Sequence, residues 1–212
     1  MKCLPKSRLG KIRFALLLLL LLTTWIIFRP DRVGLYLLSA KREGDILFQS
    51  LPRGPLVDAI EGVTESPWSH CGILLKVDGR WVVAESIGHV RYTPLYDWML
   101  RGRRFRVESY RLRHLPEDFR DRVVAQVELL HGKFYDIRYA PEDDEIYCSE
   151  LVYKVYDRGL GIKIGKWERF GDLNWKPFEA FIRETEGGPV PLERPMITPV
   201  GLTRSVLVEK VF

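Results

Sequence analysis

The chain is 212 residues long, with 33 Lys and Arg against 28 Asp and Glu, a formal net charge of +5, six Trp and three Cys. That length suits one ordinary domain plus an appendage, and the hydrophobic fraction excludes global disorder. Cys3, Cys71 and Cys148 contain no Cys-x-x-Cys pair, which excludes a zinc-ligand spacing and a disulfide framework; a single Cys71 to Cys148 bridge stays open.

Much of the positive excess is local. Lys2, Lys6, Arg8, Lys11 and Arg13 precede an apolar block from Phe14 to Phe28, so the basicity argues for a membrane flank and against nucleic acid as a partner. Fifteen residues, or slightly more with Ile12, reach the low end of a membrane span of about 20. Bulky Trp25, Ile26, Ile27 and Phe28 stand where a signal peptide needs small residues, so an uncleaved anchor fits better than a signal segment. The expected layout is a basic tail and anchor over 1–30, a juxtamembrane connector over 31–42 and a globular domain over 43–212. Basic residues ahead of the span predict a single pass, with the domain outside: in a Gram-negative cell, on the periplasmic side of the inner membrane.

Within the domain, Gly44 to Gln49 alternates as a strand, and Leu51 to Pro67 reads as a loop with one short helix around Leu56, Val57 and Ile60. His70 to Val77 and Arg80 to Ile87 flank Asp78-Gly79, a strong signal for a two-residue type I′ hairpin. Such a turn pairs residues whose numbers sum to 157. Gly72 then opposes Glu85, and His70 falls diagonally from Glu85 on the same face, within reach of a His and a Glu side chain. Cys71 points to the other face and reads as a core thiol. A lone hairpin histidine beside a glutamate is more often structural than catalytic, so this pair needs a further partner before it means chemistry.

Gly88 to Leu95 forms another expected strand, followed by a short helix through Tyr96, Trp98 and Met99. Arg101-Gly-Arg-Arg-Phe-Arg106 is a dense basic cluster, ordinarily a solvated surface and less often a contact with anionic lipid head groups or an acidic substrate, leading into a strand from Phe105 to Leu112. Phe119, Val123, Val127 and Leu130 recur at helical spacing, and His131 with Gly132 marks the end of that helix. His89 and His114 carry no partner pattern, and the Glu142 to Glu145 cluster matches no EF-hand spacing, so neither a metal nor a cofactor is expected.

After that acidic loop, Cys148, Val152, Val155, Tyr156 and Leu160 recur on one helical face closed by Gly161. Cys148 therefore stands at a helix N-terminus, where the free N–H groups and the dipole favour a thiolate, although on this stretch alone a cysteine is more often an inert core thiol than a nucleophile. Further on, a helix near Pro177 to Glu184, a Gly/Pro-rich loop from Glu186 to Pro195, a helical turn capped by Thr198 and a last strand from Val206 to Phe212 are expected.

Gly44-Asp45-Ile46-Leu47-Phe48-Gln49, Trp68-Ser69-His70-x-Gly72, Val83-Ala84-Glu85, Tyr92-Thr93-Pro94-Leu95, Gly132-Lys133-Phe134-Tyr135-Asp136 and Tyr147-Cys148-Ser149-Glu150-Leu151-Val152 follow one another in this order. Together they resemble the circularly permuted, papain-like NlpC-type superfamily, specifically its YiiX/YebB-like branch. The resemblance implies an α+β fold, an antiparallel sheet packed on helices, in which the histidine strand precedes the cysteine helix. It implies a cysteine hydrolase with Cys148 as nucleophile, His70 as base and Glu85 as the orienting residue. It also implies a peptide or lipid-linked substrate: amide bonds of cell-wall peptides, or lipid acyl groups as in other permuted branches.

Overall fold

The computed structural model describes residues 10, 12–20, 36, 37 and 39–212. Among the described residues eight strands form: β1 (Ile46–Gln49), β2 (His70–Val77), β3 (Arg80–Ile87), β4 (His89–Pro94), β5 (Val107–Leu112), β6 (Glu168–Arg169), β7 (Pro195–Met196) and β8 (Val208–Lys210). Six make one antiparallel sheet in the order β4-β3-β2-β1-β5-β8, and β6 and β7 make a separate ribbon. The hairpin has the expected register, Val77 opposite Arg80 through Ile73 opposite Ala84. Asp78 and Gly79 both take positive φ, 50° and 75°, which is what a type I′ turn requires.

The helices of the domain are α1 (Pro55–Val63), α2 (Leu95–Arg101), α3 (Phe119–Leu130), α4 (Cys148–Leu160), α5 (Glu179–Glu186) and α6 (Pro199–Thr203), of which α2 and α4 cover opposite faces of the sheet. On one face Val152, Val155 and Tyr156 of α4 pack with Ile73, Leu75 and Ala84, and α3 adds Val123 and Val127. Each such side chain, fully buried, stabilises the fold by roughly 1.5–3 kcal/mol. On the other face Leu95, Trp98 and Met99 of α2 enclose Leu47, Leu74 and Val83 together with Tyr36. Gly161, at φ 72°, closes α4 in the left-handed conformation that the sequence anticipates. Thr198 caps α6 by accepting a hydrogen bond from the Gly201 N–H at 3.0 Å.

Three differences from expectation have local causes. The strand expected from Phe105 begins at Val107, because Arg104 and Phe105 adopt left-handed φ of 58° and 54° and form a turn. The last strand is confined to Val208–Lys210, and the β6–β7 ribbon, which pairs Glu168–Arg169 with Pro195–Met196 across the expected loop, was not anticipated. The acidic stretch is tied down by ion pairs: Asp143 meets Lys154 at 2.5 Å and Arg158 at 2.6 Å.

Residues 12–20 are helical and exposed. Among the described residues no helix is long and apolar enough to cross a membrane. The remainder of the expected anchor, and Cys3, lie outside the described residues.

Candidate active site

Cys148 is the first residue of α4, and three neighbours fix that helix start. The Tyr147 hydroxyl accepts a hydrogen bond from the Ile197 N–H at 3.0 Å, and Ser149 Oγ donates to the Ile197 carbonyl at 2.9 Å. Glu150 reaches back to the Tyr147 N–H at 3.4 Å. Cys148 is thus held at the positive end of a helix, where the first N–H groups lack intrahelical partners.

His70 opens β2, and its Nε2 meets Glu85 Oε2 at 2.5 Å. Glu85 is held from two more sides: Thr93 Oγ1 donates to Oε1 at 2.6 Å and Arg101 donates to Oε2 at 2.5 Å. Arg91 stands farther off, 3.9 Å from Oε1. All three central residues are sealed from solvent, with 1% exposure for Cys148, 1% for His70 and 0% for Glu85. Charged groups this deep survive only when paired.

The electrostatics follow from that pairing. Burial opposes ionisation of Glu85, but His70 and Arg101 outweigh it and hold the carboxyl at about 2. Burial also pushes the imidazolium of His70 down; the Cys148 sulfur and Glu85 overcome this and raise it to about 9. With Nε2 occupied by Glu85, Nδ1 is the nitrogen left for the sulfur. The Cys148 thiol is lowered well below its ordinary value, first by a hydrogen bond from the Cys71 thiol and, against burial, by the charge and hydrogen bond of His70. Burial and the neighbouring sulfur push the Cys71 thiol the other way, so it remains a protonated donor.

The structure therefore brings His70, Glu85 and Cys148 together. It also revises the reading of Cys71. The residue is a core thiol on the opposite face from His70, as expected, yet α4 packs on that face and sets Cys148 against it. The two thiols are free, not bridged. Arg101 and Cys71 were not foreseen as members of the cluster. Thr93 could have been: Gly88 alone separates β3 from β4, and the resulting register, Glu85 opposite Arg91, puts Thr93 diagonal to Glu85. His131 stacks on Tyr92 with centroids 5.9 Å apart, and His89 bridges to Phe134, both away from the cluster.

An apolar pocket is lined by Leu56, Ala59, Ile60, Phe181 and Met196, and not by Cys148, His70 or Glu85 themselves. It is also lined by Tyr139, whose hydroxyl bonds Tyr135 at 2.9 Å and feels the Cys148 charge, and by Ile197, which anchors the α4 start.

Residues 40–212 match the model of the permuted papain-like amidase enzymes, the YaeF/YiiX, C92 family. The chain belongs to that family. It is 32% identical over 159 residues to the uncharacterized protein YiiX of Escherichia coli K12, covering 74% of this chain and 78% of that one. A crystal structure of YiiX from Escherichia coli O157:H7, described as a metalloprotein, superposes with a TM-score of 0.78 at 29% identity, covering 82% of this chain and 98% of that one. Membership in the amidase family points to hydrolase chemistry and agrees with the mixed α/β architecture. As for a metal, no three His, Cys, Asp or Glu side chains group as ligands among the described residues.

Proposed function

We propose that this C92-family chain is a membrane-anchored cysteine amidase of NlpC-type kinship, with Cys148 as nucleophile, His70 as general base and acid, and Glu85 as orienting residue. The observation that carries this reading is the cluster at the start of α4: His70 Nε2 meets Glu85 at 2.5 Å, and His70 and the Cys148 sulfur each favour the other's charged form. The thiol proton passes to His70, leaving a thiolate beside an imidazolium. The thiolate attacks the substrate carbonyl, and N–H groups at the start of α4 receive the oxyanion. Collapse of the tetrahedral adduct breaks the C–N bond as His70 hands its proton to the departing amine. Water, deprotonated by the now neutral His70, then cleaves the thioester and releases a carboxylic acid.

The N-terminal apolar block supports a periplasm-facing enzyme acting on amide bonds in cell-wall peptides. A second reading, an acyl hydrolase or acyltransferase acting on lipid, has its own support: the pocket that reaches Tyr139 and Ile197 offers Leu56, Ala59, Ile60, Phe181 and Met196, which suit an apolar acyl group. Both readings predict that Cys148→Ala abolishes turnover without unfolding the domain; full hydrolysis of cell-wall fragments or lipid substrates by that variant would refute both. Mass spectrometry of the trapped Cys148 adduct separates them, since a peptidyl and a fatty-acyl mass differ. A Cys148 with no thiolate at neutral pH would instead indicate a ligand-binding module.

A further inference from the structure

The loop Arg101-Gly102-Arg103-Arg104-Phe105-Arg106 is clamped on its inner side. Arg101 donates to Glu85 at 2.5 Å, and Arg103 bonds both oxygens of Glu61 at 2.9 Å and 2.7 Å, while its N–H reaches the Ser50 carbonyl at 2.6 Å. Between them Gly102 presses on Gln49 so closely that a Cβ would lie 2.6 Å from its Oε1. The same loop thus touches the orienting carboxylate and, through Glu61, the helix α1 that lines the apolar pocket.

Its outer side is free. Arg104 and Phe105 are consecutive residues with left-handed φ, an uncommon conformation for non-glycine residues that costs of order 1 kcal/mol or more each. The clamps on either flank hold it. The turn exposes Phe105 by 47% between Arg104 and Arg106. Arg104 makes no hydrogen bond or ion pair among the described residues, and Arg106 lies over the Trp68 ring at 4.8 Å and 3.6 Å from Glu108. One helical turn apart on α2, Tyr96 and Leu100 are also exposed, and Asp97 is the one carboxylate of that helix.

We propose that this surface docks on an anionic lipid surface, with Phe105 and Leu100 entering the headgroup boundary while Arg104 and Arg106 meet lipid phosphates. Apolar residues interleaved with cations suit an interface between water and acyl chains. An acidic protein would satisfy the arginines but leave the apolar side chains without a role. The chain also enters the domain on this side: Tyr36 is buried with Leu95, Trp98 and Met99 of α2 and makes an edge contact with Phe212 at 5.0 Å. On the anchored reading proposed above, only seven residues lie between Tyr36 and the end of the apolar block at Phe28, a reach of at most about 28 Å. Docking would set the clamped loop, and with it Glu85 and α1, against the bilayer.

The test is backbone hydrogen exchange of residues 102–106 in the full-length chain, mixed with phosphatidylcholine vesicles or with phosphatidylcholine and phosphatidylglycerol vesicles. Each arginine near an anionic surface favours partitioning roughly fivefold, so exchange at Phe105 and Arg106 is expected to slow at least that much in the anionic vesicles alone. The pair Arg104→Asn and Phe105→Asn should remove the slowing, because asparagine tolerates left-handed φ and leaves the turn intact. Equal exchange in both vesicle types, or slowing that survives the double substitution, overturns the proposal. Slowing by poly-glutamate and not by vesicles would overturn it in favour of an acidic protein partner. None of these readouts depends on Cys148, so the outcome stands apart from the catalytic reading.

Discussion

Substituting Glu85→Gln keeps the shape of the buried side chain and deletes its charge. In the wild type the carboxylate accepts from His70 at 2.5 Å, Thr93 at 2.6 Å and Arg101 at 2.5 Å. Without the charge, burial and the nearby guanidinium act against a protonated imidazole. The Cys148 sulfur and Glu85 together hold His70 at about 9, so losing the Glu85 share alone weakens the thiolate–imidazolium pair by at most roughly 3 kcal/mol. The assay is the pH titration of thiolate absorbance in the ultraviolet, taken as the difference between each protein and its Cys148→Ala counterpart, which needs no substrate and no reagent access to the buried sulfur. The wild type should show thiolate already at acid pH, as a partner of imidazolium; in Glu85→Gln the onset should move towards the ordinary thiol range. An unchanged onset would refute the argument that Glu85 sustains the pair.

The same contacts carry four further expectations. Glu85, held at about 2 against an ordinary 4.5, stabilises the fold above pH 4.5 and loses this as pH falls through 2; His70, raised from 6.5 to about 9, stabilises below pH 6.5 and loses this as pH rises through 9. The difference in melting temperature between wild type and Glu85→Gln should therefore be largest between pH 4.5 and 6.5 and shrink on either side, as calorimetry across pH would record. Arg101→Met should act on the thiolate window with the opposite sign to Glu85→Gln, since it removes the cation that shares Oε2 with His70 and so lets imidazolium persist to higher pH in the same titration. Gly72→Ala would place a Cβ 2.5 Å from Val83 Cγ1 and 2.7 Å from the Ala84 carbonyl, so urea unfolding should show a loss of about 1–3 kcal/mol. Lys154→Met strips the cation 2.5 Å from buried Glu150, whose carboxyl burial already raises to about 7; a stability loss of roughly 3 kcal/mol is expected at pH 8, less at pH 5 where Glu150 is neutral, again by urea unfolding.

How much of this was legible beforehand depends on the range of the interaction. The His70 and Glu85 contact was readable because a two-residue turn fixes register, and register fixes face; no tertiary information is needed to pair residues that sum to 157. The same reasoning, applied to the single-residue link at Gly88, would have added Thr93, since that register also follows from chain continuity alone. Cys148 at a helix start was readable from apolar periodicity and the closing Gly161. What joined the two halves, however, was the resemblance to permuted papain-like enzymes, because no local rule says which sheet face a helix 60 residues downstream will cover.

Cys71 shows why that gap matters. Alternation correctly turned its side chain away from His70, and a core thiol on that face was not counted with the His70 and Glu85 pair. Yet α4 covers the Cys71 face, while His70, as the first residue of β2, stands at the strand end where the imidazole still meets the sulfur. A nucleophile placed at a strand end can take a base from one face and a thiol donor from the other. Two sulfurs then divide the labour by charge: burial keeps Cys71 protonated, and a protonated Cys71 is what favours the thiolate at Cys148. Arg101 was hidden for a different reason. Its partner is fixed by the angle at which α2 leaves Pro94 and by the clamp at Gly102, quantities set by packing of Trp98 and Met99 against the sheet and not by any spacing in the sequence. Glu85 is therefore held by two kinds of neighbour: strand partners that the register dictates, and a helix-end cation that only the assembled core can supply.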